Sequence, residues 1–372
     1  MPETMRAAVF HGRGDIRIEQ RAIPTPGPDE LLLRVGTAGV CGTDVGEWAH
    51  GPIQHPVHQR HASSGHLGPV IPGHEFSGTV VGVGESVDPA WIGRRVASCG
   101  AVACGECASC RGGDSNRCAR YVGVGLHRDG ALAGFVTTPV ASCVAVDDLG
   151  LGLDEAALCQ PMAIALHCVS RAGSVDGELV VVLGVGGIGA FLVVALVESG
   201  AEVIAVDVDA DRLELAGELG AHRLLRVAGG AGDREVVQAE IDRAGRRPVV
   251  FEVSGTAGGL RTALAVAPVG GRIVLVGIQG APREVDLAAV TVREQTLIGT
   301  NALVREIDFP RAVEIVARRS GTWGRVAPRV LPLRELVEGA LRPMSEGRAP
   351  AIKTLIDPWI DEARSMDARR PD

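Results

Sequence analysis

Lysine is almost absent from this chain: of 37 cationic residues among 372, only Lys353 is lysine. Tyrosine is as scarce, with Tyr121 alone, and aromatic residues reach only 3% of the sequence. Set beside 50 glycines and abundant Ala and Val, these gaps match the coding bias of a GC-rich genome and carry no functional message. The shortage of positive charge leaves a net charge of −8, which offers nothing to nucleic acid or to an anionic membrane. The opening residues, MPETMRAAVFHGRGD, contain no apolar run of signal-peptide length, so a cytoplasmic protein is expected. In that compartment nine cysteines are poor disulfide material and better candidates for metal or catalytic work.

Charge is also missing locally. Residues 179–197, LVVVLGVGGIGAFLVVALV, run nineteen positions without a charged side chain, close to the length that spans a bilayer. The glycines at the centre argue against a span. Residues 180–183 read as a buried parallel strand and 190–197 continue at helical spacing, with Gly184, Gly186 and Gly189 forming GxGxxG between them. Such a turn lets a dinucleotide pyrophosphate approach the backbone and rest on free amides at the helix start, here around Gly187 and Ile188. A second apolar run ends in Asp207, 18 residues past Gly189, where a carboxylate grips the 2′-hydroxyl of an adenine ribose. An anion there repels a 2′-phosphate, and Arg212, the nearest cation and a further candidate cofactor contact, falls on the next helix; this favours NAD over NADP. Asp207 could equally cap the helix that runs through Leu213 and Leu215.

A length of 372 residues points to two domains. Residues 1–160 show short strand-like runs at 6–10, 31–35, 79–83 and 95–98, broken by Gly and Pro, and read as mainly β. Residues 161–300 alternate strands near Val180, Val203, Val249 and Ile273 with helices near 234–243 and 260–266, the pattern of a doubly wound parallel sheet, so the fold class is α/β. Residues 301–372 offer amphipathic helical stretches at 309–319 and 333–341, then a strand-like run at 352–356 that could return to the first domain.

Two sets of soft ligands fall in the first domain. Cys104, Cys107, Cys110 and Cys118 stand as C-x2-C-x2-C-x7-C, and four thiolates in so short a bent loop can close a tetrahedron on one structural Zn2+. The bacterial ferredoxin spacing differs, ending C-x3-C-P with its fourth cysteine serving another cluster. Cys41, in VCGTD, and His74-Glu75, in GHEF, supply a thiolate, an imidazole and a carboxylate, too few to fill the shell of a metal that must keep a position open for substrate.

VCGTD at 40–44, GHEFSGTVVGVG at 73–84, the four-cysteine run and GVGGIG at 184–189 follow one another as in the zinc-dependent medium-chain alcohol dehydrogenase family, and the chain resembles that family over nearly its whole length. The resemblance implies a GroES-like, mainly-β catalytic domain (1–160, with a structural zinc lobe at 99–120, completed by 301–372) and a Rossmann NAD-binding domain (161–300), with the active site in the cleft between them. It implies that Cys41, His74 and Glu75 hold a catalytic zinc, giving two Zn2+ per chain. Gln160 stands before Pro161 where polyol and diol branches usually carry glutamate, and could complete the shell directly or through water. The run GEWAHGP at 46–52, followed by a long insertion, looks most like the butanediol and sorbitol branch, which points to secondary alcohols, vicinal diols or polyols as substrates. Edge pairing between Rossmann domains, carried over from the family, would give a homodimer or homotetramer.

On that reading zinc acts as Lewis acid, NAD takes the hydride, and the Thr43 hydroxyl accepts the alcohol proton. The chain departs from many relatives in carrying Gly46 where a relay histidine stands five residues after the zinc cysteine. Five histidines crowd residues 50–66, and His50 is the candidate replacement, although the segment could be a solvated loop with incidental histidines. Ser254, at the end of a later strand, lies toward the nicotinamide side of the crevice or is ordinary turn chemistry. Two other readings remain: a zinc-free quinone reductase of the same superfamily, and a non-catalytic nucleotide-binding sensor that uses the cysteine lobe as a zinc switch.

Overall fold

A computed structural model describes residues 3–349 and 351–366. These form two units, one of residues up to Ala163 together with those from Leu303 on, the other Ile164–Ala302. No helix among the described residues is long and apolar enough to cross a membrane.

The first unit is built on a mixed eight-stranded sheet centred on the long strand Glu30–Val40. Its apolar run leaves almost no position for water: Leu31, Leu32, Leu33, Val35, Ala38 and Val40 are all buried, in one core with Phe76, Val80, Val96 and Ile356. Strands Glu75–Val83 and Thr354–Asp357 flank it, both antiparallel to it, so a segment from the end of the chain closes a sheet begun near its start.

The tail departs from its sequence pattern in two places. The helix expected at 309–319 spans Arg305–Arg318, because the Asp308 carboxylate accepts the Val304 amide at 2.7 Å and starts it a turn earlier. The stretch 333–341 is no α-helix: Leu333–Glu335 is a 3-10 turn and Leu336–Leu341 a π-helical one. Gly339 inside it and Pro343 just beyond make regular helix costly.

The second unit is a six-stranded parallel sheet. Its strands are β1 (Leu179–Leu183), β2 (Glu202–Asp207), β3 (Arg223–Arg226), β4 (Pro248–Glu252), β5 (Arg272–Leu275) and β6 (Thr296–Gly299), in the order β3-β2-β1-β4-β5-β6. The order reverses between β1 and β4, the switch point at which such sheets bind ligands. The uncharged run at 179–197 is therefore two elements, β1 and the helix Gly187–Val197, joined by the glycine turn. A Cβ at Gly189 would collide with the carbonyl oxygen of Gly184, so only glycine lets the helix start this close to the strand. Strand β3 escaped the sequence reading, since Arg-Leu-Leu-Arg is too short to show a period.

Candidate active site and metal centres

Three neighbouring strands end together. Cys41 follows the central strand and opens the helix Gly42–His50; His74 and Glu75 begin the antiparallel neighbour, where Glu75 pairs with Gly39; Lys353 precedes the other neighbour, where Thr354 pairs with Val40. Sheet register alone thus collects a thiol, an imidazole, a carboxylate and an ammonium. The ligand atoms of Cys41, His74 and Glu75 all lie within 4.8 Å of one another, with His74 and Glu75 buried. A Cβ on Gly39 would strike the Glu75 carboxylate, so glycine makes the room. The mixed S, N and O donor set suits zinc.

Asp44 and Lys353 support this set. The Asp44 carboxylate accepts the Cys41 amide at 2.9 Å through one oxygen and faces His74 Nδ1 at 3.6 Å with the other. At 3.6 Å this is a charge contact and not a hydrogen bond, and a carboxylate on the Nδ1 side leaves Nε2 for a metal. The Lys353 ammonium straddles Glu75, 2.7 Å from Oε1 and 2.6 Å from Oε2. Burial works against its charge, yet Glu75 and the Cys41 and Asp44 groups beyond it outweigh burial and raise its pKa above the ordinary lysine value. Neither role was read from the sequence. Lys353 stood out only as the sole lysine, and the usable signal was its place in the apolar run Ala-Ile-Lys-Thr-Leu-Ile, since a lysine buried there needs an acidic partner.

His74 carries a consequence for metal uptake. Burial opposes an imidazolium, but Asp44 and Cys41 outweigh it and hold the metal-free ring well above the ordinary histidine pKa. Zinc takes only the neutral ring, so its binding must expel that proton. Affinity is expected to fall on acidification and to rise with pH up to the raised pKa. Calorimetric zinc titrations in buffers of different ionisation enthalpy should register proton release; a zinc affinity flat between about pH 6 and 8 would refute this.

The four-cysteine set is closed. Cys107 and Cys110 sulfurs are 3.5 Å apart and those of Cys104 and Cys110 4.0 Å, bracketing the roughly 3.8 Å edge of a tetrahedron with Zn–S near 2.3 Å. The Cys104 and Arg120 amides each lie 3.3 Å from the Cys118 sulfur, and hydrogen bonding from Arg120 lowers the Cys104 thiol to about 6. The lobe is tied to the helix Arg305–Arg318, where Ser115 donates to Glu306 at 2.6 Å. Cys107→Ser is expected to lower Tm by on the order of 10 °C and to release one zinc. Unchanged thermal stability with lost turnover would instead place this lobe in the chemistry.

In the second unit Asp207 ends β2, buried, with its two oxygens accepting the amides of Val185 at 2.8 Å and Asp209 at 3.0 Å. It braces the glycine turn from below. The capping alternative is corrected: Asp209, not Asp207, caps the following helix, accepting from Asp211 and Arg212. The Arg212 guanidinium lies beside Gly186, where an added Cβ would meet it at 3.4 Å. Ser254 donates to Glu252 at 2.5 Å, sits against Gly184 and accepts the Thr256 amide at 3.2 Å, so the turn chemistry is present and lies at the switch point.

Other candidates are less concentrated. Thr43 Oγ1 is 3.8 Å from Cys41 Sγ, within the ligand cluster. Gln160 is buried in the first turn of the helix Cys159–Ala172. His50 is exposed at the end of its helix, whereas His55 is buried with Nδ1 3.0 Å from the Leu126 carbonyl. His61 stacks on His127 at 4.3 Å, so part of the histidine-rich segment is built into the fold. The solvated-loop reading fails for these two positions.

Comparison with known proteins agrees with this arrangement. Residues 27–148 match the family described as "Alcohol dehydrogenase GroES-like domain", and residues 187–318 that described as "Zinc-binding dehydrogenase". The sorbitol dehydrogenase of Bombyx mori is 34% identical over 298 residues, covering 79% of this chain and 83% of that protein. Among solved structures, 2R,3R-butanediol dehydrogenase from Bacillus subtilis superposes with a TM-score of 0.84 at 29% identity, over 95% of this chain and 99% of its own. A zinc-binding dehydrogenase from Sinorhizobium meliloti bound to NADP gives 0.80 at 30% identity, over 96% and 100%. None of these three is described as a sensor or a zinc-free reductase.

Proposed function

The chain belongs to the zinc-dependent medium-chain alcohol dehydrogenase family, and on that premise we propose that it oxidises a secondary alcohol within a vicinal diol or polyol to a ketone, using NAD and two zinc ions per chain. The observation that carries the reading is the Cys41, His74 and Glu75 set, closed within 4.8 Å on adjoining strand ends. Zinc bound there supplies Lewis acidity to an alcohol oxygen, and NAD supplies the hydride acceptor. Everything else falls to side chains. Cys41 and His74 hold the metal, Asp44 sets its charge on the Nδ1 side of the His74 ring, and the Thr43 hydroxyl receives the alcohol proton at Oγ1. Lys353 competes with the metal for the Glu75 carboxylate, which keeps a coordination position for substrate or for Gln160 acting through water. The Gly187 and Ile188 amides receive the pyrophosphate, and Asp207 favours a free ribose hydroxyl over a 2′-phosphate.

The free edge of β6, with Leu297 partly exposed, suits pairing with a second copy, so a homodimer or homotetramer is the proposed assembly and the cytoplasm its place. The test is a panel of vicinal diols, sugar alcohols, aminocyclitols and simple primary alcohols, read as NADH formation, with metal content measured on the same sample. Diols or polyols should lead, NAD should exceed NADP by about tenfold or more in kcat/KM, and about two zinc per chain should be found. About one zinc with no turnover on any alcohol would return the sensor reading.

A further inference from the structure

Glu252 is a fully buried carboxylate that the chemistry above leaves unused. It ends β4 and pairs in register with Leu183, the last residue of β1, at the switch point itself. Its oxygens serve two different segments. Oε1 accepts the Ser254 hydroxyl at 2.5 Å and the Gly255 amide at 3.1 Å; Ser254 Oγ lies 2.9 Å from Thr256 Oγ1, which caps the helix Ala257–Val266. Oε2 accepts Gln279 Nε2 at 3.2 Å, and Gln279 Oε1 in turn accepts Arg283 Nε at 2.9 Å. The Glu252 carbonyl adds the amides of Val276 and Gly277 at 2.8 and 2.9 Å. The segment leaving β5 is thus pinned by backbone at 276–277 and by one side-chain tie at Gln279. Between these anchors Ile278 exposes 85% of its surface, the most of any large apolar side chain among the described residues.

The glycine turn after β1 and Asp207 after β2 take the adenine half of a dinucleotide, so the β4 and β5 ends face its other half. We propose that Glu252 is a positioning residue for the nicotinamide nucleotide: through Gln279 it holds the 277–283 segment so that Ile278 is presented to the flat ring. This rests on the dinucleotide reading above. The two carboxylate oxygens carry lone pairs enough to accept from both segments at once. Burial raises the Glu252 pKa, and the Ser254, Gly255 and Gln279 donors work against that rise. A segment ordered beforehand lowers the entropy lost when the cofactor binds.

The experiment uses the zinc-loaded full chain. Gln279→Met is expected to weaken NADH binding, read by fluorescence titration, by roughly tenfold, and to speed amide exchange at 277–280, with zinc content at the parent value. Glu252→Gln and Gln279→Glu should each weaken binding, while the exchanged pair restores it: the amide at 252 keeps its carbonyl for Ser254 and Gly255 and donates to the carboxylate at 279, which still accepts Arg283. A merely structural Glu252 would lower Tm and leave NADH affinity untouched. An NADH Kd within about twofold of parent in Gln279→Met, or an exchanged pair no better than its singles, overturns the tie alone. A parent protein that binds no NADH overturns the dinucleotide reading, and the tie falls with it.

Discussion

Replacing Cys41 with alanine is expected to lower turnover by about a thousandfold or more, equivalent to about 4 kcal/mol of lost transition-state stabilisation, in a protein that stays folded. The two effects separate because the thiol is not what holds the strand ends together. The helix Gly42–His50 starts on the Asp44 carboxylate accepting the Cys41 backbone amide, a bond alanine keeps. The central strand keeps its antiparallel partners on both sides. What disappears is the only soft donor of the set, leaving His74 and a Glu75 already engaged by Lys353. On the proposed count of two zinc per chain, metal content should therefore fall to about one, the remainder held by the four cysteines of the lobe. A folded Cys41→Ala protein with parental turnover would remove Cys41 from the chemistry.

That experiment probes a residue visible in the sequence, and the contrast with Lys353 shows where visibility ends. Cys41, His74 and the four lobe cysteines announce themselves because metal ligation needs rare residue types at tight local spacing. The glycine turn is visible for the same reason: GxGxxG between an apolar strand and an apolar helix is a local pattern that the structure keeps as β1, turn and helix. Lys353 and Glu75 lie 278 residues apart and meet only because Thr354–Asp357 pairs beside Glu30–Val40, a register that no local signal encodes. The Glu252 to Gln279 bond, spanning 27 residues and two loops of the parallel sheet, was invisible for that reason too. Local propensity misled where tertiary packing decides: 333–341 carries a helical pattern, yet Leu331 packs so closely against Gly339 that a Cβ there would meet it at 2.8 Å, and the chain follows the contact.

Lys353→Met is expected to produce the second large effect, with opposite signs in the two metal states. In the metal-free protein the substitution leaves the Glu75 carboxylate buried without its cation, since side-chain exposure is only 4% for Lys353 and 1% for Glu75. Removing one partner of such a pair costs about 3–5 kcal/mol, a fall in Tm of roughly 10 °C for a unit of this size. With zinc present, the released carboxylate has another cation in reach, because its oxygen already lies within 4.8 Å of the Cys41 and His74 ligand atoms. Zinc should then bind more tightly to Lys353→Met than to the parent and restore most of the lost Tm, while turnover drops by about a hundredfold as Glu75 fills the position a substrate needs. Lys353→Arg, which keeps the charge, should retain turnover within about tenfold. The double variant Lys353→Met with Glu75→Gln should regain metal-free stability, because no buried charge is then left unpaired. Tighter zinc binding with full turnover in Lys353→Met would mean that Glu75 does not compete with substrate. A Tm unchanged by the single substitution would mean that the ammonium does not neutralise Glu75 at all.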